Sequence, residues 1–276
     1  DWKRLFIGLG AAVAAALVIV VPFSIGQEKP VGWLLALYGD TLSSYAYATL
    51  NTANLYYLLA ANWKALNAAI GWVLPVCTAL VALAGAAAFA LREKQWHLKR
   101  RDPQLSLLLA LFAAYQLCLA IFGGSYSLYG YGMMALVYAF VILCLLHDRD
   151  AERLPFYLAL CLIGVYLFAV KVHERYLFTA LPLLLFSYLR SKDRRELWLF
   201  VGFSVTTFLN TAIVLDNSIL FGATLGHLND DTLALNVLLC VCNLLLAAYG
   251  ALVALVPPKP QKREDAPSFQ VPKCYE

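Results

Sequence analysis

"LPFYLALCLIGVYLFAVKVHERYLFTALPLLLF", residues 154–186, decides what kind of protein this is. Two apolar runs flank Lys171, His173, Glu174 and Arg175, four ionisable groups in five positions. The apolar runs are continuous and do not alternate, so they read as membrane-crossing helices and not as barrel strands. The rest of the chain agrees. Its 276 residues are 62% hydrophobic and 14% charged, with a mean hydropathy of +0.71. A soluble domain runs about 45–50% apolar and about 25% charged. The expected fold class is an all-α membrane protein.

Eight spans are expected, at about 5–22, 71–91, 104–122, 131–147, 155–171, 177–190, 197–216 and 232–256. Each is near the roughly 20 residues that a bilayer needs, except 177–190, which is short. With the N-terminus inside, the inner segments carry 17 of the 21 Lys and Arg; only Lys29, Lys64, Lys171 and Arg175 fall outside. That asymmetry follows the positive-inside rule. It places both termini in the cytoplasm of a multi-pass protein, with a bacterial plasma membrane expected. The net charge of +4 is then a matter of topology. The basic clusters lack the stacking aromatics of a nucleic-acid surface, and no nucleic-acid partner is expected.

Residues 1–256 read as the transmembrane domain, and the Pro-rich, charged segment 257–276 as a disordered cytoplasmic tail. The chain starts at Asp1 and not at a methionine, which is read as a sign of further sequence upstream. The seven cysteines lie mostly in apolar segments and behave as small hydrophobes. No phosphate-cradling or zinc-binding motif occurs. Neither a cofactor nor a metal is expected.

The polar residues concentrate on the expected outer face. Segment 24–70 mixes aromatics with Asn51, Asn54, Asn62 and Asn67. Its parts 31–38 and 42–63 could form amphipathic helices lying at the interface. They could equally be an aromatic belt, or part of a sugar or headgroup site; Asn51 and Asn54, at i and i+3, could point one way. "GGSYSLYGYG", 123–132, reads as an interfacial connector or a cavity lining. In segment 215–232, Asp230 and Asp231 stand where a helix start favours acids. In a helical "KVHER", Lys171 and Arg175 would share a face and repel. Glu174 offsets one of them, and a bound anion would balance the remaining positive charge.

"KVHERYLFTALPLLL", 171–185, resembles a motif of bacterial polytopic mannosyltransferase-like proteins related to the enzyme that adds the second mannose of the GPI anchor. "YAYATLNTANLYYLLAANW", 45–63, resembles a second block of the same proteins. The position after "HERYLF" is Thr179, where those proteins carry proline. The resemblance implies a GT-C architecture and a glycosyltransferase active on the outer face. Its donor would be a sugar on a polyprenyl phosphate, and its acceptor a glycan, lipid or protein. It also implies that Lys171, His173 and Arg175 bind the donor phosphate. Glu174 and Tyr176 would support them, and Asn51 and Asn54 would contact sugar. The catalytic base would be an acid in a first outer loop, expected upstream of Asp1. A transporter or flippase of lipid-linked sugars is the alternative, and a purely structural membrane subunit a third.

Overall fold

The computed structural model describes residues 2–29, 32–96, 101–148, 153–220 and 230–256. Asp1, His227 and the expected tail 257–276 lie outside the described residues, as do the side chains of Asp230 and Asp231. The chain is an all-α, multi-pass membrane protein. Among the described residues, six helices are long and apolar enough to cross a membrane: Trp2–Ser24, Val73–Leu91, Asp102–Phe122, Tyr126–His147, Arg194–Asp216 and Leu233–Leu255.

The chain divides into two compact units, Asp1–Ala46 and Tyr47–Glu276. In the first, α1 (Trp2–Ser24) and α2 (Trp33–Ser43) are joined by a turn in which Gly26 adopts a φ of 85°. The Trp33 indole Nε1 donates to Ser24 Oγ at 2.7 Å across that turn.

The second unit begins with β1 (Thr49–Leu50), the single-turn α3 (Leu55–Leu58) and β2 (Ala69–Ile70). The helices α4 (Val73–Trp96), α5 (Arg101–Phe122) and α6 (Tyr126–His147) follow, with β3 (Gly124–Ser125) before α6. Next come α7 (Leu154–Phe168), β4 (Val172–His173), a 3₁₀ helix (Glu174–Ala180) and α8 (Leu181–Ser191). Then α9 (Arg194–Leu220) and α10 (Asp230–Leu255) complete the unit. Each helix from α4 onwards packs on its successor, and α10 returns to pack on α7. Phe156, Ile163, Tyr166, Leu177, Leu184 and Phe203 are fully buried in the main core. Two glycines bring helices close. A Cβ on Gly164 would strike Val137, and one on Gly202 would come within 2.6 Å of Leu246. Small residues at helix contacts are the usual way to gain van der Waals packing in lipid.

Two of the expected spans differ from the structure. Segment 155–171 forms the 15-residue α7 and segment 177–190 contributes the 11-residue α8. At 1.5 Å per residue, α7 is about 22 Å long, short of a hydrocarbon core of about 30 Å. The chain between them is not helical: Lys171 takes a left-handed φ of 62°, and Val172–His173 form β4. Segment 42–63 also forms no single helix. Asn51, Ala60 and Trp63 all have positive φ, at 53°, 56° and 59°, which interrupts a right-handed helix three times.

The loops segregate by end. Residues 47–70, 124–127 and 171–173, all expected on the outer face, meet through strand pairing and backbone hydrogen bonds at one end. At the other end Asp148, Arg153, Glu196 and Val253 meet. Arg153 is 1% exposed. Its Nη1 donates to Asp148 Oδ2, its Nη2 donates to Val253 O at 3.1 Å, and its Nε lies 3.7 Å from Glu196 Oε1. Glu196 Oε2 accepts from Ser187 and Ser191 at 2.7 and 2.8 Å. This buried ion cluster joins the α6–α7 turn to α8, α9 and α10. A helix pair made of α7 and the 3₁₀–α8 segment leaves and returns to this end, so the alternation of the flanking helices is preserved.

Candidate functional site

The two sequence blocks that carry the resemblance lie side by side. β1 and β4 pair in parallel, Thr49 with Val172 and Leu50 with His173. The Lys171 amide donates to Tyr47 O at 3.3 Å. On the other edge of β1, Trp63 N donates to Thr49 O at 3.1 Å and Ala48 N donates to Lys64 O at 2.8 Å. Residues 47–50 are thus the centre of a small three-stranded arrangement whose edges are 62–65 and 171–173.

Beyond β1 the chain turns inward. Asn51, Thr52, Ala53 and Asn54 are all buried. Their backbone polar groups need partners, because irregular chain at membrane depth survives only when buried in protein or lining water. The helices supply them. Ala53 N donates to Asn210 Oδ1 at 3.1 Å, and Asn210 Nδ2 donates to Asn51 O at 3.1 Å. Asn243 Nδ2 donates to Ala53 O at 2.9 Å. Asn210 is held in turn by Asn236 Oδ1 at 2.9 Å and by the Tyr166 hydroxyl, which donates to its Oδ1 at 3.0 Å. Thr52 Oγ1 donates to Val172 O at 2.7 Å, tying this turn directly to β4. Asn243 is ten residues past Leu233, the start of its apolar span. That distance is about 15 Å, so the loop reaches roughly the middle of α10.

Asn51 and Asn54 spend their side chains within the loop and on α7. Asn51 Oδ1 accepts from Asn62 Nδ2 at 2.8 Å and from the Trp63 indole at 3.1 Å. Asn54 Oδ1 caps α3 by accepting from Tyr57 N at 3.1 Å, and its Nδ2 donates to Tyr166 O at 3.4 Å. Beneath them Tyr56 donates to Phe168 O at 2.8 Å and packs edge-on against Tyr126 and Tyr129. The 123–132 connector therefore buttresses the loop from α6.

The charged cluster follows β4. Its first member, Lys171, lies in the left-handed turn, so the helical stacking of Lys171 over Arg175 expected from their spacing does not form. Glu174 stands between Arg175 and His173: Arg175 Nη1 donates to Oε1 at 3.3 Å, and His173 Nδ1 is 3.9 Å from Oε2. The His173 ring lies 5.6 Å from the Tyr176 ring. The Glu174 side chain is only 13% exposed, whereas that of Arg175 is 65% exposed. Burial, and next the charge on Arg175, hold His173 below its ordinary value, with Glu174 opposing them. The imidazole is therefore neutral near pH 7. The exposed Arg175 guanidinium is the group that can fork onto a phosphate.

Asn210, Asn236, Asn243, Tyr166 and Thr52 do not stand out from motif reading, yet they position this end of the molecule. The available signal was three asparagines inside strongly apolar helices, since intramembrane polar groups are costly unless partnered. Asp216 is exposed at the far part of α9. Among the described residues no group of three or more His, Cys, Asp or Glu is placed to hold a metal ion.

No family model, no curated protein and no solved structure matches the chain.

Proposed function

We propose that this chain is part of a GT-C-type membrane glycosyltransferase, a mannosyltransferase by its resemblance. It would take a sugar from a polyprenyl-phosphate donor and pass it to a glycan, lipid or protein acceptor. The carrying observation is the pairing of two blocks some 120 residues apart, joined by the Thr52–Val172 hydrogen bond, with a cationic cluster at their edge. In this reading Arg175 and Lys171 take the donor phosphate and stabilise the charge that develops on the leaving polyprenyl phosphate. Glu174 orients Arg175 and His173, and Tyr176 covers the imidazole. Asn51 and Asn54 serve the site by holding the loop that frames it, since their side chains are already engaged.

The distribution of Lys and Arg supports this end facing outward and both termini facing the cytoplasm, in a plasma membrane on this reading. A lipid-linked donor is also supported by the surface below the cluster. A cleft of about 200 Å³ with almost wholly apolar walls opens among α5, α6, α7 and α10, lined by Leu136, Phe140, Leu160, Gly164 and Phe168. Phe168 lies three residues before Lys171, so an isoprenoid tail has carbon surface to lie against while its phosphate meets the cations.

The test is Arg175→Ala in the full-length protein, assayed for mannosyl transfer from mannosyl-phosphoryl-polyprenol in membranes. Loss of one such electrostatic contact costs about 10²-fold or more in turnover. Arg175→Lys keeps the charge but not the fork and should fall between. Wild-type turnover in Arg175→Ala would end the phosphate assignment.

A further inference from the structure

Charge is sorted at the turn between α8 and α9. Segment 190–196, "RSKDRRE", holds four cations and two acids. Both acids are spent on partners within the fold. Arg195 forks onto Asp193: its Nε donates to both carboxylate oxygens at 3.0 Å and its Nη2 donates to Oδ2 at 2.7 Å. Glu196 is fully buried, accepts from Ser187 and Ser191, and faces Arg153. Arg195 Nη1 also donates to Val256 O at 2.7 Å, which ties the turn to the end of α10. Arg190, Lys192 and Arg194 remain on the surface. Among the described residues none of the three meets a carboxylate. Arg190 stands over the Phe186 ring at 5.7 Å, and Lys192 Nζ over the Tyr188 ring at 6.0 Å.

The three cations form the tip of a helical hairpin at a membrane edge. Lys192 caps α8 in a left-handed turn and Arg194 opens α9. Four residue steps separate Arg190 from Arg194, so their backbones stand at most about 14 Å apart. The apolar span of α9 begins at Arg194. Phe186 lies one turn before Arg190 and Trp198 one turn after Arg194, and both rings are exposed. Each cation therefore shares a helix face with an exposed ring about 6 Å deeper in the bilayer. That is the layering of a headgroup over acyl chains. Snorkelling explains a single cation at a helix end; it does not explain why both acids of this turn are drawn inward.

We propose that the α8–α9 tip is a docking site for an anionic phospholipid of the bilayer, held through its phosphodiester. The Arg194 guanidinium, without a protein partner among the described residues, forks onto the phosphate. Arg190 and Lys192 add positive charge beside it, and the acyl chains lie against Phe186 and Trp198. Each cation near a membrane surface raises the affinity for anionic lipid about fivefold. The bonds of Asp193 and Glu196 keep carboxylates away from the headgroup and fix the turn that displays the cations. The inference is independent of the donor-phosphate reading, which concerns the opposite end of the molecule. In the orientation proposed above, this tip faces the cytoplasmic leaflet, whose surface is negative.

The experiment titrates the full chain, solubilised in a neutral detergent, with phosphatidylglycerol and with phosphatidylcholine of the same acyl chains. Native mass spectrometry reads the bound lipid. The wild type should bind phosphatidylglycerol roughly ten- to a hundredfold more tightly, the upper figure being three full cation contributions. Arg194→Gln should cut that preference about fivefold. The joint variant Arg190→Gln, Lys192→Gln, Arg194→Gln should bring it close to parity. Salt of about 1 M, which shortens the screening length to about 3 Å, should erase the wild-type preference, so the test stands even where the joint variant fails to insert. Equal binding of the two lipids by the wild type overturns the proposal. A preference that survives in the joint variant also overturns it, because cations elsewhere then carry the lipid. Glycerol 3-phosphate displacing the lipid at concentrations equal to those of phosphatidylglycerol overturns the choice of a bilayer lipid as occupant, since a bare headgroup then suffices.

Discussion

Replacing Asn210 by alanine should release the buried loop while leaving the helices in place. The Asn210 side chain accepts from Ala53 N and the Tyr166 hydroxyl and donates to Asn51 O and Asn236 Oδ1. Alanine removes four hydrogen bonds and strands an amide, a carbonyl and a hydroxyl. Bonds between groups in membrane proteins average about 0.6 kcal/mol each, and a stranded buried partner costs about 1–3 kcal/mol. Taking about 0.5–1 kcal/mol per bond gives a loss of about 2–4 kcal/mol. Every 1.4 kcal/mol is tenfold, so opening of the loop becomes about 30- to 700-fold more frequent. Hydrogen exchange read by mass spectrometry on the peptide covering 47–63 measures this directly. Exchange there should accelerate by that factor, while peptides from α4 and α5 keep wild-type rates. Unchanged exchange at 47–63 would refute the claim that Asn210 holds the loop. Equal acceleration everywhere would show general unfolding and not a local anchor.

Arg153→Met should lower stability by about 3–5 kcal/mol, because removing one partner of a buried ion cluster leaves Asp148 and Glu196 uncompensated; thermal unfolding in detergent reads it. His173 should titrate below its ordinary value when followed by NMR of labelled histidine. Arg175→Ala should move it up and Glu174→Gln further down, since Arg175 lowers it and Glu174 raises it. The sign for stability follows from the folded value lying below the unfolded one. The contribution of His173 is complete above about pH 6.5 and is lost as pH falls through the depressed value.

Hydropathy is legible wherever a segment is long, apolar and uninterrupted, and α4, α5, α6, α9 and α10 fall close to their expected positions. It misleads around 171. The window average over 155–171 and 177–190 is set by Leu, Phe and Tyr, and does not register that Lys171 adopts a left-handed turn. The gathering of 47–70, 124–127 and 171–173 at one end follows from alternating loops. Their backbone pairing does not, because β1 and β4 are two residues each, too short for an alternating pattern, and lie more than 100 positions apart. The inward turn at 51–54 was hidden for a similar reason. Asn51 and Asn54 looked like an outward pair at helical spacing, but a positive φ at Asn51 removes the helix that argument needs. The residues that receive the loop, Asn210 and Asn243, lie more than 150 positions away.

That separation bears on how the protein is made. The turn at 51–54 bonds to side chains 157 and 190 residues downstream. At translation rates of about 5–20 residues per second, those partners emerge on the order of ten to forty seconds later. Residues 47–63 must therefore wait, unsatisfied and hydrated, while α4 through α8 are inserted. The loop can be seated only after α9 and α10 have arrived. A chain stalled before α10 would carry both motif blocks and Asn210 but lack Asn236 and Asn243, so the turn that joins the blocks would be only partly received.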